Sequence, residues 1–198
     1  MSELSGKVAF ITGAGRGQGR AHAVRLASMG ADIIVNDICA NIDAIPYDLA
    51  NRDDLDETVK LVEKHGRRAS AQVADVRDSA ALSQAFTDGL ADLEVSHADI
   101  VIANAGGLAY PLPGADEEKA FRDSLDVLLV GPWNTIRVTT PRMIEAGRGG
   151  SVVLTSSTSA LRGSSADQVV STVTPQRRLV SSVSCASTPT SWPLTRSV

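Results

Sequence analysis

An α/β fold built on a parallel sheet is the architecture this sequence predicts, on three observations. Short apolar runs alternate with stretches of helical periodicity along the chain. A glycine-rich turn follows the first apolar run, and an acidic residue closes the second. The bulk numbers agree: 198 residues with 43% hydrophobic and 21% charged content suit one domain with a real core.

The elements follow in order. "KVAFIT" (7–12) is an apolar run of the kind a strand buried on both faces shows. "RAHAVRLASMG" (20–30) predicts a helix with Ala21, Val24 and Ala27 inward and Gly30 as its stop. "ADIIVND" (31–37) is a second buried strand closed by Asp37. Residues 53–65 carry Leu55, Val59 and Val62 on one helical face, ended by Gly66. "RRASAQVAD" (67–75) is a third strand, "SAALSQAFTDGL" (79–90) a third helix and "ADIVIANAG" (98–106) a fourth strand. A long helix is expected from about Asp116 to Ala146, kinked near Gly131-Pro132. "GGSVVLTSS" (149–157) is a fifth strand. The strand–helix alternation implies right-handed crossovers. The segment "ICANIDAIPYDLAN" (38–51) is longer than a usual strand-to-helix loop.

Several function classes are excluded. The net charge of −4 provides no basic stripe for nucleic acid. No apolar run reaches the length of a membrane span, and the N-terminus lacks a signal-peptide layout. Cys39 and Cys185 make no disulfide framework, so a cytoplasmic location is expected. No metal site is expected. His22, His65 and His97 are scattered and read as solvated or satisfied side chains.

"TGAGRGQG" (12–19) carries the chemistry. A tight turn needs residues without Cβ where the backbone must approach a pyrophosphate, and the helix that follows offers free N–H groups and a positive dipole end. Glycine-rich turns are common in themselves; the buried strand before, the helix after and Asp37 ending the next strand are what favour dinucleotide binding. A carboxylate at Asp37 can accept hydrogen bonds from both ribose hydroxyls and repels a 2′-phosphate, favouring NAD over NADP; its alternative role is to cap the following loop. Arg16 pulls the other way, since a basic residue in the turn could meet that phosphate.

Taken together, "TGAGRGQG", "ND" (36–37), "ADV" (74–76), "NAG" (104–106) and "SVVLTSS" (151–157) resemble the short-chain dehydrogenase/reductase family over residues 5–163. The long 38–51 segment resembles a mycofactocin-associated subgroup that includes carveol dehydrogenases, in which this insertion is thought to hold NAD tightly. The resemblance implies a Rossmann-type doubly wound parallel sheet of strand order 3-2-1-4-5, lacking the last strands of the family fold. It implies an NAD-dependent exchange of a secondary alcohol, such as a cyclic terpene alcohol, with a ketone. By the same likeness Gly13, Gly17 and Gly19, with Arg16 and Gln18 between them, form the pyrophosphate turn and Asp37 binds the ribose. Asp75 and Val76 border the adenine, Asn104, Ala105 and Gly106 lie beside the nicotinamide ribose, and Ser157 is the catalytic serine. Homo-tetramers are expected of the intact family; the missing elements argue against one here.

Two departures stand out. Leu128 occupies the place of the family's Asn in "VLLVG" (127–131). The family also needs Tyr-x-x-x-Lys after Ser157, yet the last tyrosine is Tyr110 and the last lysine Lys119. That pair works because a lysine one helical turn on lowers the tyrosine pKa from about 10 toward operating pH. Residues 164–198 differ in character, with no glycine after Gly163, no acid after Asp167, and crowded Ser and Thr. If one nucleotide is lost after Gln168, the shifted frame allows Tyr across Val173–Thr174 and Lys across Arg177–Arg178, restoring the motif's spacing. The expectation is a dinucleotide-binding domain over 1–163 and an aberrant, disordered tail over 164–198, frameshifted from about 169. As written, the chain is expected to be an inactive NAD-binding fragment or pseudoenzyme.

Overall fold

The computed structural model describes residues 3–107 and 116–157. They form a single parallel sheet flanked by helices: β1 (Val8–Thr12), α1 (Gly17–Ser28), β2 (Asp32–Asp37), α2 (Arg52–Glu63), β3 (Ala69–Val73), α3 (Ser79–Asp92), β4 (Ile100–Ala103), α4 (Glu117–Leu125), α5 (Gly131–Glu145) and β5 (Ser151–Leu154). The strand order is β3-β2-β1-β4-β5, as expected. The proposed boundary at 163, the 164–198 tail, Tyr110 and Cys185 lie outside the described residues.

β1 and β2 are buried along their whole length, which is why their sequences run apolar instead of alternating. Successive residues face opposite layers. Phe10, Ile34 and Val101 pack on one side with Leu82, Phe86 and Leu90 of α3. The Phe10 and Phe86 rings meet edge to face at 5.1 Å. Ile11, Ile33 and Val35 pack on the other side with α1 and α2. The inward stripe of α1 is Gly19, Ala23 and Ala27, not the expected Ala21 and Val24. Residues spaced by four with the smallest side chains let this helix lie close to β1, which leaves Ala21 exposed and Val24 at the edge.

The helix expected over 116–146 is divided. Between α4 and α5, residues Asp126–Val130 form one wide π-helical turn. Pro132 follows immediately. It has no N–H to donate, and its ring would clash with the carbonyl four residues back; the wider turn relieves both. Among the described residues no helix is long and apolar enough to cross a membrane. β3 and β5 are the sheet edges among them, and Val153 of β5 is 46% exposed.

Two buried carboxylates pin the N-terminal ends of the strands. Asp32 Oδ2 accepts from Nε and Nη2 of Arg68 at 2.9 and 2.7 Å, and Oδ1 accepts from Arg67 at 2.5 Å. Asp99 accepts from Lys7 Nζ at 2.8 Å and from the Val8 N–H at 3.0 Å. Beside it, the Arg148 guanidinium stands 2.8 Å from His97 Nε2, so His97 is a satisfied buried ring. His22 and His65 are exposed, as expected.

Burial pushes both carboxyls up. Hydrogen bonds and charge from Arg68 and Arg67 outweigh it at Asp32, and those from Lys7 and Val8 at Asp99, so both titrate below their ordinary 3.8. A depressed carboxyl binds its proton less well folded than unfolded. Its contribution is therefore complete above about pH 4 and is lost as pH falls through the folded value. Urea midpoints should hold steady from neutral pH to about 5 and drop below about pH 4. Asp99→Asn should lower the neutral-pH midpoint and flatten the acid drop; an unchanged acid slope in that variant would contradict this assignment.

Candidate functional site

A cavity of about 640 Å³ opens at the C-terminal ends of the strands, where open parallel sheets place their ligands. Every candidate residue named from the sequence lines it except Gly19, which lies beneath the turn.

The glycine turn is set by close packing. Gly13 has φ +66°, and a Cβ there would stand 2.7 Å from the Ala105 Cα. A Cβ at Gly19 would strike the Gly13 carbonyl oxygen. Gly17 is different: at φ +58° it has nothing within 4 Å of where a Cβ would be, so its surface is bare backbone facing open space. α1 starts here with no side chain capping it and no acid in its first turn. Its free N–H groups and positive dipole end are left for an anion.

Asp37 sits beside the turn, 7% exposed. Its Oδ2 accepts the Gly15 N–H at 2.9 Å and its Oδ1 the Cys39 N–H at 3.3 Å. Both oxygens keep unused lone pairs. The carboxylate thus caps the following loop and also stands on the cavity wall. Cys39 takes a left-handed φ of +51° to make this contact. Burial, aided by the Asp37 charge, pushes its thiol up to about 11, so it stays protonated and unreactive. Arg16 is committed elsewhere: its guanidinium donates to the Asp48 carbonyl at 2.5 Å.

Asn104 ties β4 to the turn. Its Nδ2 donates to the carbonyls of Thr12 and Gly13, both at 3.1 Å, while its N–H and that of Ala105 donate to Thr12 Oγ1. Asp75 is engaged by Arg77, whose N–H donates to Oδ1 at 2.9 Å and whose Nε donates to Oδ2 at 2.8 Å. The Val76 carbonyl accepts from Asn134 Nδ2 at 2.9 Å, and Val76 abuts Gly131 so closely that a Cβ there would lie 2.7 Å from it. Thr155, Ser156 and the half-buried Ser157 close the wall beyond β5.

Sequence reasoning missed the pair under the turn. Arg20 Nε donates to Thr58 Oγ1 at 2.9 Å, Arg20 also donates to the Gly15 carbonyl, and Thr58 Oγ1 donates to the Ala14 carbonyl at 2.9 Å. The one available signal was a threonine on the inward face of α2, between Leu55 and Val62. The 38–51 segment forms the cavity's outer wall with Ile38, Ile42, Ile45 and Tyr47. Among the described residues no cluster suits a metal ion.

Comparison with known proteins agrees with this geometry. The short chain dehydrogenase family model matches residues 7–171. An uncharacterised oxidoreductase of Mycobacterium tuberculosis is 52% identical over 160 residues, covering 81% of this chain and 57% of that protein. The (-)-trans-carveol dehydrogenase of Rhodococcus erythropolis is 43% identical over 164 residues, covering 82% and 58%. The chain thus spans under two-thirds of the length of these relatives. A short-chain dehydrogenase from Mycobacterium paratuberculosis, solved bound to NAD, superposes with TM-score 0.80 at 45% identity, covering 89% of this chain and 64% of that one. A carveol dehydrogenase from Mycobacterium avium in complex with NAD gives 0.79 at 38% identity, covering 91% and 62%. The chain belongs to the short chain dehydrogenase family.

Proposed function

We propose that this chain holds NAD in the cavity above the strand ends and carries part of the site that interconverts a secondary alcohol and a ketone. The observation that carries the reading is Asp37 set against the bare backbone of the glycine turn. Open space at Gly17 and the uncapped α1 terminus fit a pyrophosphate, and the remaining lone pairs of Asp37 fit the two ribose hydroxyls. A 2′-phosphate would meet the Asp37 charge, while Arg16, the residue that could have welcomed it, is bound to Asp48. Asp75 and Val76 would border the adenine, and Asn104, Ala105 and Gly106 the second ribose. Two neighbours of the same fold were solved with NAD, which supports the same choice.

Bound NAD would supply the hydride chemistry. The Ser157 hydroxyl would hold the substrate oxygen by a hydrogen bond. The carveol dehydrogenase relatives favour a cyclic terpene alcohol as substrate. The 38–51 segment walls the site as an insertion that keeps the cofactor in place would.

A second reading is NAD binding without turnover. It is favoured by one observation: within these 198 residues no tyrosine follows Tyr110 and no lysine follows Lys119, so they offer the proton no group of the family's kind. We also propose that residues from about 169 onward are a frameshifted text. Sequencing the encoding DNA tests it, and an intact frame with no neighbouring Tyr-x-x-x-Lys would remove it.

Calorimetric titration should show NAD bound more tightly than NADP. Asp37→Asn should weaken NAD by about tenfold or more, as the loss of charge-assisted hydrogen bonds implies, and narrow the gap to NADP. Equal affinity of the unaltered chain for both would contradict the role given to Asp37. With cyclic terpene alcohols and NAD, the second reading expects NADH formation equal to that of Ser157→Ala. Turnover that Ser157→Ala abolishes supports the first.

A further inference from the structure

Four successive carbonyls of the glycine turn are each held by a side chain. Those of Thr12 and Gly13 accept from Asn104 Nδ2, just past β4. That of Ala14 accepts from Thr58 Oγ1 on α2, and that of Gly15 from Arg20 Nη2 on α1. The N–H groups of the same stretch meet different fates. Ala14 donates to the Asn36 carbonyl at 3.1 Å and Gly15 to Asp37 Oδ2 at 2.9 Å. The next one, the Arg16 N–H, has no acceptor among the described residues.

A trans peptide holds its carbonyl and its N–H on opposite sides. Each carbonyl bond therefore also sets the direction of the N–H that follows it. Thr58, through the Ala14 carbonyl, sets the Gly15 N–H that bonds Asp37. Arg20, through the Gly15 carbonyl, sets the Arg16 N–H. With that carbonyl drawn beneath the turn, the N–H is turned toward the cavity that Arg16 lines.

The two side chains are ordered one on the other. Thr58 is fully buried, and its Oγ1 accepts from Arg20 Nε at 2.9 Å. The hydroxyl has one proton left to give, and the Ala14 carbonyl at 2.9 Å is nearer than those of Asp54 at 3.2 Å and Gly15 at 3.3 Å. Arg20 Nη2 also donates to the Asp54 carbonyl at 2.7 Å. Asp54 Oδ1 lies 3.6 Å from the guanidinium and offsets part of its charge. What Arg20 supplies is thus chiefly direction.

We propose that Arg20 is a positioning residue for the phosphates of the dinucleotide: it fixes the Gly15–Arg16 peptide so that the Arg16 N–H is aimed at a phosphate oxygen. Arg20 itself need not touch the ligand. The proposal rests on the dinucleotide reading above, in which the adenosine part is met by Asp37, Asp75 and Val76. A fault at Arg20 is then felt by the phosphates and not by the nucleoside. A fault at Thr58 is felt by both, because the Gly15 N–H and Asp37 move with it.

The experiment titrates the 198-residue chain with adenosine, ADP and NAD, followed by the amide NMR signals of the protein. Arg20→Met should weaken ADP and NAD about tenfold and adenosine less than about twofold. Arg20→Lys, which keeps a donor for the Gly15 carbonyl, should recover most of that loss. Thr58→Val should weaken adenosine as well as ADP, and Thr58→Ser neither. A merely structural role for Arg20 would weaken adenosine and ADP by the same factor, and that result would overturn the proposal. In the nucleotide-free chain, Arg20→Met should move the Arg16 amide signal while those of β1 stay in place; an unmoved Arg16 signal would also overturn it. Should neither ADP nor NAD bind the unaltered chain, the dinucleotide reading fails, and the Arg16 signal alone then decides whether Arg20 sets that peptide.

Discussion

The close approach of the Gly13 backbone to Ala105 is the constraint on which the site depends. With a Cβ-to-Cα gap of only 2.7 Å, no side chain fits between the end of β1 and the end of β4. Two strands that lie side by side can meet this tightly only if their ends are also tied. Asn104 supplies those ties, spending its side-chain donors on the Thr12 and Gly13 carbonyls. From below, Arg20 and Thr58 hold the carbonyls of Ala14 and Gly15. The turn is therefore rigid before any ligand arrives, and a preorganised backbone loses less entropy on binding. What it leaves open, at Gly17 and the start of α1, is the part no group among the described residues fills.

The two ends of the sheet divide the work. At the N-terminal ends, Asp32 and Asp99 are saturated by arginine, lysine and backbone donors and lie outside the lining of the cavity above the strand ends. Their task is register: each joins a strand to residues far away in sequence, Asp32 to Arg67 and Arg68, Asp99 to Lys7. At the C-terminal ends the carboxylates are Asp37 and Asp75, held in place by backbone N–H groups yet still on the cavity wall. Saturated charge fixes the frame at one end; at the other, Asp37 and the Arg77-paired Asp75 stand on the cavity wall.

The frame and the glycine turn were legible because their causes are local. A strand buried on both faces must run apolar, and a turn with left-handed residues must use glycine, so 7–12, 31–37 and 12–19 could be read directly. Asp37 was legible by position, as the acid ending the second strand. The misreadings share a different cause. The inward face of α1 was assigned to Ala21 and Val24 by periodicity, but closeness to β1 selects the smallest residues, Gly19, Ala23 and Ala27. The π-helical turn was read as a kink at Gly131-Pro132, since the proline's effect falls on the residues before it. The Asp48 carbonyl beside Arg16 of the glycine turn was equally out of reach, since only the path of the 38–51 segment brings it there. Contacts between segments distant in sequence leave no local pattern to read.

Leu128 shows how such a contact can change the sense of a departure. Against the family's pattern, where an Asn is usual, a leucine reads simply as a polar group lost. In place, it is 4% exposed among Ile42, Ile45 and Val127, none of which carries a side-chain polar atom. An amide there would be desolvated, with no side-chain partner in the cluster to offset the loss. The leucine is thus the residue that the 38–51 segment demands of the π-helical turn, and the two features belong to one arrangement. The wide turn exists because of Pro132, and Val127 and Leu128 within it present an apolar surface on which the loop tip is seated. A proline in one helix and an insertion after a strand elsewhere in the chain are therefore coupled through four side chains at the rim of the cavity.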